Sequence, residues 1–170
     1  QVPVVVQREG KREALLMRWG LVPWWARGVP LKASTVNATV ERLHNAPSYR
    51  DAWQRAQRCI LPMGGFYEPH LNEDGTRDPF FVRLTEREVF GVAGLWERSP
   101  LAEGSYLSSC TLITVPANTL LAAVHNEKPR MPAILEESAY RSWLCDPPQI
   151  ARALLRPYPP DSMQAWKVSR

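Results

Sequence analysis

The stretch LPMGGFYEPHLNEDG, residues 61–75, sets a carboxylate, Glu68, between Tyr67 and Pro69, just past a glycine pair. Strand side chains two positions apart share a face, so Phe66, Glu68 and His70 project together while Tyr67 points the other way. A carboxylate dehydrated by an aromatic face resists ionisation and becomes an acid or base near neutral pH. The pattern also fits a salt-bridged glutamate on a solvated strand face, and taken alone it favours that second reading. His125 stands between a predicted helix and the charged, proline-containing segment NEKPRMP. Loop histidines are well placed for acid–base work, although a surface or capping role is the commoner fate of a lone histidine. Asn37 lies in STVNATVE, a β-branched stretch that suits an amide poorly. If buried, its hydrogen-bonding groups need partners, which fits an orienting role toward a ligand; a turn-forming asparagine is the alternative.

Three such distant side chains can act together only if the fold gathers them. Residues 4–6 and 14–21 read as strands joined by the turn-forming REGKRE. Residues 22–31, VPWWARGVPL, form a loop broken by Pro and Gly that carries Trp24 and Trp25. The spacing of Tyr49, Trp53 and Ala56 predicts a short amphipathic helix over 48–57, capped by Ser48. Strands are predicted over 59–61, 66–71, 79–84, 89–96 and 106–115, with Asp74-Gly75 turning a hairpin between the second and third. Pro116 and Asn118 introduce a helix over 119–124; further helices are predicted over 136–144 and 149–155, and a last strand around Trp166 and Val168. Strands dominate without regular βαβ alternation. The expected class is α+β, a single domain with a curved, barrel-like, mainly antiparallel β-sheet and several short helices.

Bulk properties narrow the function. A chain of 170 residues fits one domain. A net charge of +4 permits a polyanionic partner without requiring one. Seven tryptophans supply either stacking surfaces for bases or a tryptophan-rich core. No apolar run approaches the ~20 residues of a membrane helix, so no membrane partner is expected. The three cysteines are widely spaced and lack a C-x-x-C, which fits buried thiols in a reducing, cytoplasmic compartment. No two histidines sit at ligand spacing, so no metal is expected. Phosphate-loop, dinucleotide, H-E-x-x-H and G-x-S-x-G signatures are all absent, and no cofactor is expected.

Six segments, however, occur in a telling order: MRWGLVPWWA (17–26), VNATVE (36–41), RCILPMGGFYEP (58–69), FGVAGLWE (90–97), TLITVPAN (111–118) and VHNEKPRMPAIL (124–135). They resemble the successive blocks of the SRAP (SOS-response-associated peptidase) family over essentially the whole chain. The resemblance implies a protein of the DNA-damage response that senses abasic sites in single-stranded DNA and processes its own amino terminus. An amino-terminal cysteine, exposed by loss of the initiator Met, condenses with the ring-opened sugar aldehyde to a thiazolidine. Glu68 then corresponds to the glutamate that handles protons and orients the amine. His125 corresponds to a general acid acting on the sugar, and Asn37 to an amide positioning the amino terminus and the lesion. Arg130 corresponds to a phosphate contact, Trp24 and Trp25 to an aromatic pair against DNA, and Thr39 and Arg42 complete the expected DNA-binding set. Thr39 stands where the family usually has Arg. Gln1 begins near the family's first internal strand, so residues 1–170 are read as one SRAP-like domain lacking the amino-terminal segment and its nucleophile. Three residues also separate Asn126 from Arg130 where many members have none. A monomer is expected, nucleoid-associated if bacterial. Rival readings are a non-catalytic single-stranded DNA-binding module and a general cysteine peptidase.

Overall fold

VPVVVQR and KREALLMRW pair as an antiparallel hairpin, β1 (Val2–Arg8) and β2 (Lys11–Trp19), through the two-residue turn Glu9-Gly10. Both turn residues have positive φ, 48° and 77°, the geometry that matches the twist of a tight hairpin. A computed structural model describes residues 1–169. The remaining strands are β3 (Asn37–Thr39), β4 (Arg58–Met63), β5 (Phe66–Leu71), β6 (Arg77–Leu84), β7 (Phe90–Pro100), β8 (Tyr106–Pro116), β9 (Arg130–Pro132), β10 (Ile134–Leu135) and β11 (Met163–Lys167).

Strands β1, β2, β8, β7 and β4 close on one another as a barrel, in which only the β2–β8 pairing is parallel. Closure leaves none of these strands with an open edge along the ring. Strand β8 also carries β3 in parallel and β9 antiparallel, while β10 joins β7. A separate antiparallel sheet, ordered β11-β6-β5, leans beside the barrel. The α+β, barrel-like, mainly antiparallel architecture is the one expected.

The barrel is filled by alternate side chains such as Val4, Val6, Met17, Leu61, Leu95 and Ile113, all essentially buried. The tryptophans divide between core and surface. Trp143 and Trp53 are buried, whereas Trp19, Trp24, Trp25 and Trp166 are exposed. Four short helices decorate the barrel: α1 (Arg50–Gln54), α2 (Thr119–Val124), α3 (Tyr140–Cys145) and α4 (Pro148–Ala153). Helix α2 is capped as expected, the Asn118 side chain accepting from Leu121 N at 2.9 Å and donating to the Tyr158 carbonyl at 2.7 Å. Ser48 does not cap α1. The helix starts later, after Tyr49, whose buried ring and hydroxyl contact to the Asn37 carbonyl (3.3 Å) fix the chain there. The segment expected as a helix over 136–144 opens instead with a 3-10 turn, Glu137–Ala139. Cys59 and Cys110 are buried, and burial pushes the Cys59 thiol well up; Cys145, at the end of α3, is exposed, contrary to expectation. Among the described residues no helix is long and apolar enough to cross a membrane.

Candidate active site

The glycine pair before Glu68 has a packing reason. A Cβ on Gly65 would lie 2.3 Å from the Phe81 ring and 2.7 Å from the Val82 carbonyl, so only glycine lets β6 pass so closely. Strand β5 therefore starts pressed against β6, in a register that pairs Glu68 with Phe80. Its alternate residues divide as the pattern predicts: Tyr67 is exposed, while Phe66, Glu68 and His70 are half-buried.

Glu68 looks into a cavity of about 610 Å³. Its walls come from the start of β1 (Val2, Pro3), the end of β2 (Trp19), Asn37 on β3, Thr114 on β8 and Arg130 to Pro132 on β9. His125 lies beside Glu68 on the wall, its Nδ1 3.2 Å from Glu68 Oε2, with both side chains less than one-fifth exposed. Nδ1 makes no aligned hydrogen bond among the described residues. Burial pushes the Glu68 carboxyl up to about 7. The solvated, salt-bridged alternative thus gives way to a dehydrated carboxyl facing an imidazole.

His125 is held at that distance by a clamp between β5 and the end of α2. The Asn126 side chain acts as a surrogate strand partner for Leu71, accepting from its N–H at 3.0 Å and donating to its carbonyl at 2.9 Å. His70 Nδ1 donates to the carbonyls of Val124 and Ala123, at 3.0 and 3.1 Å, which assigns that ring nitrogen its proton. The three residues after Asn126 are tied down as well. Glu127 accepts a two-pronged pair from Arg77 at 2.8 Å on each oxygen, and the Pro129 carbonyl accepts from Ala117 N at 2.9 Å. These contacts brace the loop that follows His125.

The other expected residues divide. Asn37 and Arg130 line the cavity with Glu68 and His125. The Asn37 side chain is exposed, not buried, and no protein hydrogen bond to its amide occurs among the described residues, so the amide is open to solvent at the cavity. Arg130 donates to Glu41 Oε1 at 2.9 Å and to the Thr114 carbonyl at 2.7 Å, and this pairing holds the Glu41 carboxyl below its usual range. Thr39, paired with Thr114 in the β3–β8 register, and exposed Arg42 lie near this mouth in sequence but outside the lining. Trp24 and Trp25 line a second hollow with Arg27 and Leu101, their indole N–H groups donating to Asp51 and to the Pro47 carbonyl. Sequence reasoning passed over Trp19, which is 40% exposed on the cavity wall with its indole N–H donating to the Val36 carbonyl at 2.9 Å. An aromatic at a strand end, directly before Gly20, was the available signal. Among the described residues no three His, Cys, Asp or Glu side chains converge as a metal site.

A dehydrated carboxyl in contact with an imidazole at an open cavity has the groups that proton transfer needs. The model of the SOS response associated peptidase (SRAP) family matches residues 1–170. The chain belongs to the SRAP family. It is 36% identical over 156 residues to abasic site processing protein YoqW of Bacillus subtilis, covering 90% of this chain and 68% of that protein. It is 29% identical to abasic site processing protein HMCES of Gallus gallus, covering 86% of this chain and 50% of that one. A crystal structure of a protein from Bordetella bronchiseptica superimposes with a TM-score of 0.87 at 32% identity, covering 99% of this chain and 84% of that chain.

Proposed function

We propose that the cavity processes abasic sites in single-stranded DNA, and that in a longer form of the chain an amino-terminal cysteine becomes covalently joined to the lesion there. The observation that carries this reading is the dehydrated Glu68 carboxyl in contact with His125 on the wall of an open cavity, in a family whose curated relatives are named for abasic site processing.

The chemistry asks for what these residues can supply. An abasic deoxyribose opens to an aldehyde. The cysteine amine adds to the carbonyl carbon, and the resulting carbinolamine loses its hydroxyl as water once that oxygen is protonated. The thiol sulfur then adds to the C=N carbon while the nitrogen takes up a proton, closing a thiazolidine with the net loss of one water. Glu68, half-protonated near pH 7, donates the proton that releases water and, as carboxylate, accepts one from the amine or thiol. His125 is the acid for opening the sugar ring. Asn37 offers its free amide at the mouth to hold the amino terminus and the sugar. Arg130 adds phosphate affinity, and recognition is without base sequence. Val2 and Pro3 line the cavity, so the beginning of β1 lies at the reaction site. Cys59, Cys110 and Cys145 do not line it, so the proposed cysteine is none of these three, and self-processing belongs to the same proposal.

The test incubates the full-length protein, as a monomer, with an oligonucleotide carrying one abasic site. A protein–DNA band that survives denaturation is expected, formed more slowly by Glu68→Gln, while residues 1–170 bind the same DNA without that band. Binding by the full-length form with no such band would leave a DNA-binding module only and defeat the covalent proposal.

A further inference from the structure

Beside the cavity, the sheet β11-β6-β5 turns an unpartnered face to solvent. Tyr67, Phe81 and Trp166 sit directly opposite one another in the registers of adjacent strands, one aromatic per strand across the full width of the sheet. Their rings touch in sequence, with centroids 5.0 Å apart for Tyr67–Phe81 and 5.3 Å for Phe81–Trp166. The outer two members are exposed, Tyr67 by 67% and Trp166 by 40%. With strands about 4.8 Å apart, the row runs about 10 Å away from the cavity. The Arg83 guanidinium lies over the Trp166 ring, 5.6 Å from its centroid, beside the Gln164 amide, whose oxygen accepts from it when the amide is turned that way. Among the described residues Arg83 has no carboxylate partner, and the outward positions of the three strands carry no acidic residue. A charge aimed at no anion beside a row of rings fits a ligand that brings both a phosphate and a flat base.

We propose that this aromatic row is a stacking platform for unpaired bases flanking the lesion, with Arg83 contacting the adjoining phosphate. The inference rests on the DNA-processing reading of the cavity. Continuity selects the occupant: Tyr67 belongs to the cavity wall as well as to the row, and Phe81 lies against Gly65, another wall residue. A strand leaving the cavity over Tyr67 therefore meets the row without a gap. The row differs from the Trp24–Trp25 pair, which lines a separate hollow.

The experiment measures binding of residues 1–170 to fluorescent single-stranded oligonucleotides of about four and about sixteen nucleotides, each with an abasic-site analogue. Trp166→Ala should weaken the longer DNA by roughly tenfold and leave the shorter unchanged, with Trp166→Phe restoring most of the loss. Arg83→Gln, a surface change that keeps the fold, should lower the slope of log affinity against log salt by about 0.7 for the longer DNA alone. If Trp166→Ala and Arg83→Gln both bind the longer DNA as the parent does, the platform is refuted while the cavity reading stands. If the parent binds neither DNA, the cavity reading itself fails and takes the platform with it. Sedimentation showing self-association that Trp166→Ala abolishes would assign the row to a second copy of the chain and overturn the proposal.

Discussion

Glu68→Gln should make the protein more stable at pH 8 and leave it unchanged at pH 4. Burial raises the Glu68 carboxyl from 4.5 to about 7. Below 4.5 the group is protonated in both folded and unfolded chains, so it favours neither. As pH rises, the unfolded chain releases its proton first while the folded one holds it to about 7, and stability falls through that window. At about 1.36 kcal/mol per pH unit, the gap between 4.5 and about 7 corresponds to about 3 kcal/mol at pH 8. The carboxyl keeps an exposed edge, which screens part of this and leaves about 1.5–3 kcal/mol. Glutamine has nearly the same shape and no charge to bury, so it recovers that amount. For a chain of this size the gain appears as a rise in Tm of about 3–10 °C at pH 8. Thermal melts of both proteins at pH 4 and pH 8 supply the comparison. Equal Tm differences at the two pH values would refute the reasoning. A loss of stability at pH 8 would do so more pointedly, because it would mean an ion pair with His125 outweighs dehydration at their 3.2 Å separation.

Other consequences follow from the same geometry. Asn126→Ala removes both hydrogen bonds to the Leu71 backbone and should cost about 1–2 kcal/mol in denaturant unfolding, with adduct formation slowed roughly tenfold as His125 loosens. Adduct formation at the parent rate would separate the clamp from the chemistry. Gly65→Ala puts a methyl into the Phe81 ring and should destabilise the fold by about 1–3 kcal/mol in a urea titration; a neutral result would show that β6 yields freely. Glu41→Gln releases Arg130 from its carboxylate partner and should tighten single-stranded DNA binding roughly threefold at low salt, with weaker binding the contrary result.

What the sequence disclosed was local. The Asn118 cap, the Asp74-Gly75 turn and the period-two division of Tyr67 from Phe66, Glu68 and His70 are written in neighbouring residues, and each recurs in the structure. The α+β, barrel-like class followed from strand spacing. The parallel contact of β2 with β8 that closes the barrel joins Arg18 to Ser109, and no short-range pattern encodes such a pairing. The same limit explains why pattern alone favoured a solvated Glu68. Its dehydration depends on β9, β3 and His125, all distant in the chain, and only the resemblance of the blocks to SRAP proteins reversed that reading. The clamp of Asn126 and His70 was missed because each bonds a partner more than fifty residues away. Ser48 was misjudged as a cap because the burial of Tyr49, a tertiary effect, outweighed its hydroxyl.

The most direct measurement is the rate of the proposed joining to abasic single-stranded DNA, followed from pH 5 to pH 9 in protein that carries the amino-terminal cysteine, for the parent and Glu68→Gln. A proton-handling Glu68 predicts an inflection near pH 7 in the parent that the variant lacks, with the variant slower on the favoured side of it. Superimposable profiles from the two proteins would contradict the assignment of Glu68 and, with it, the cavity as the place where the chemistry occurs.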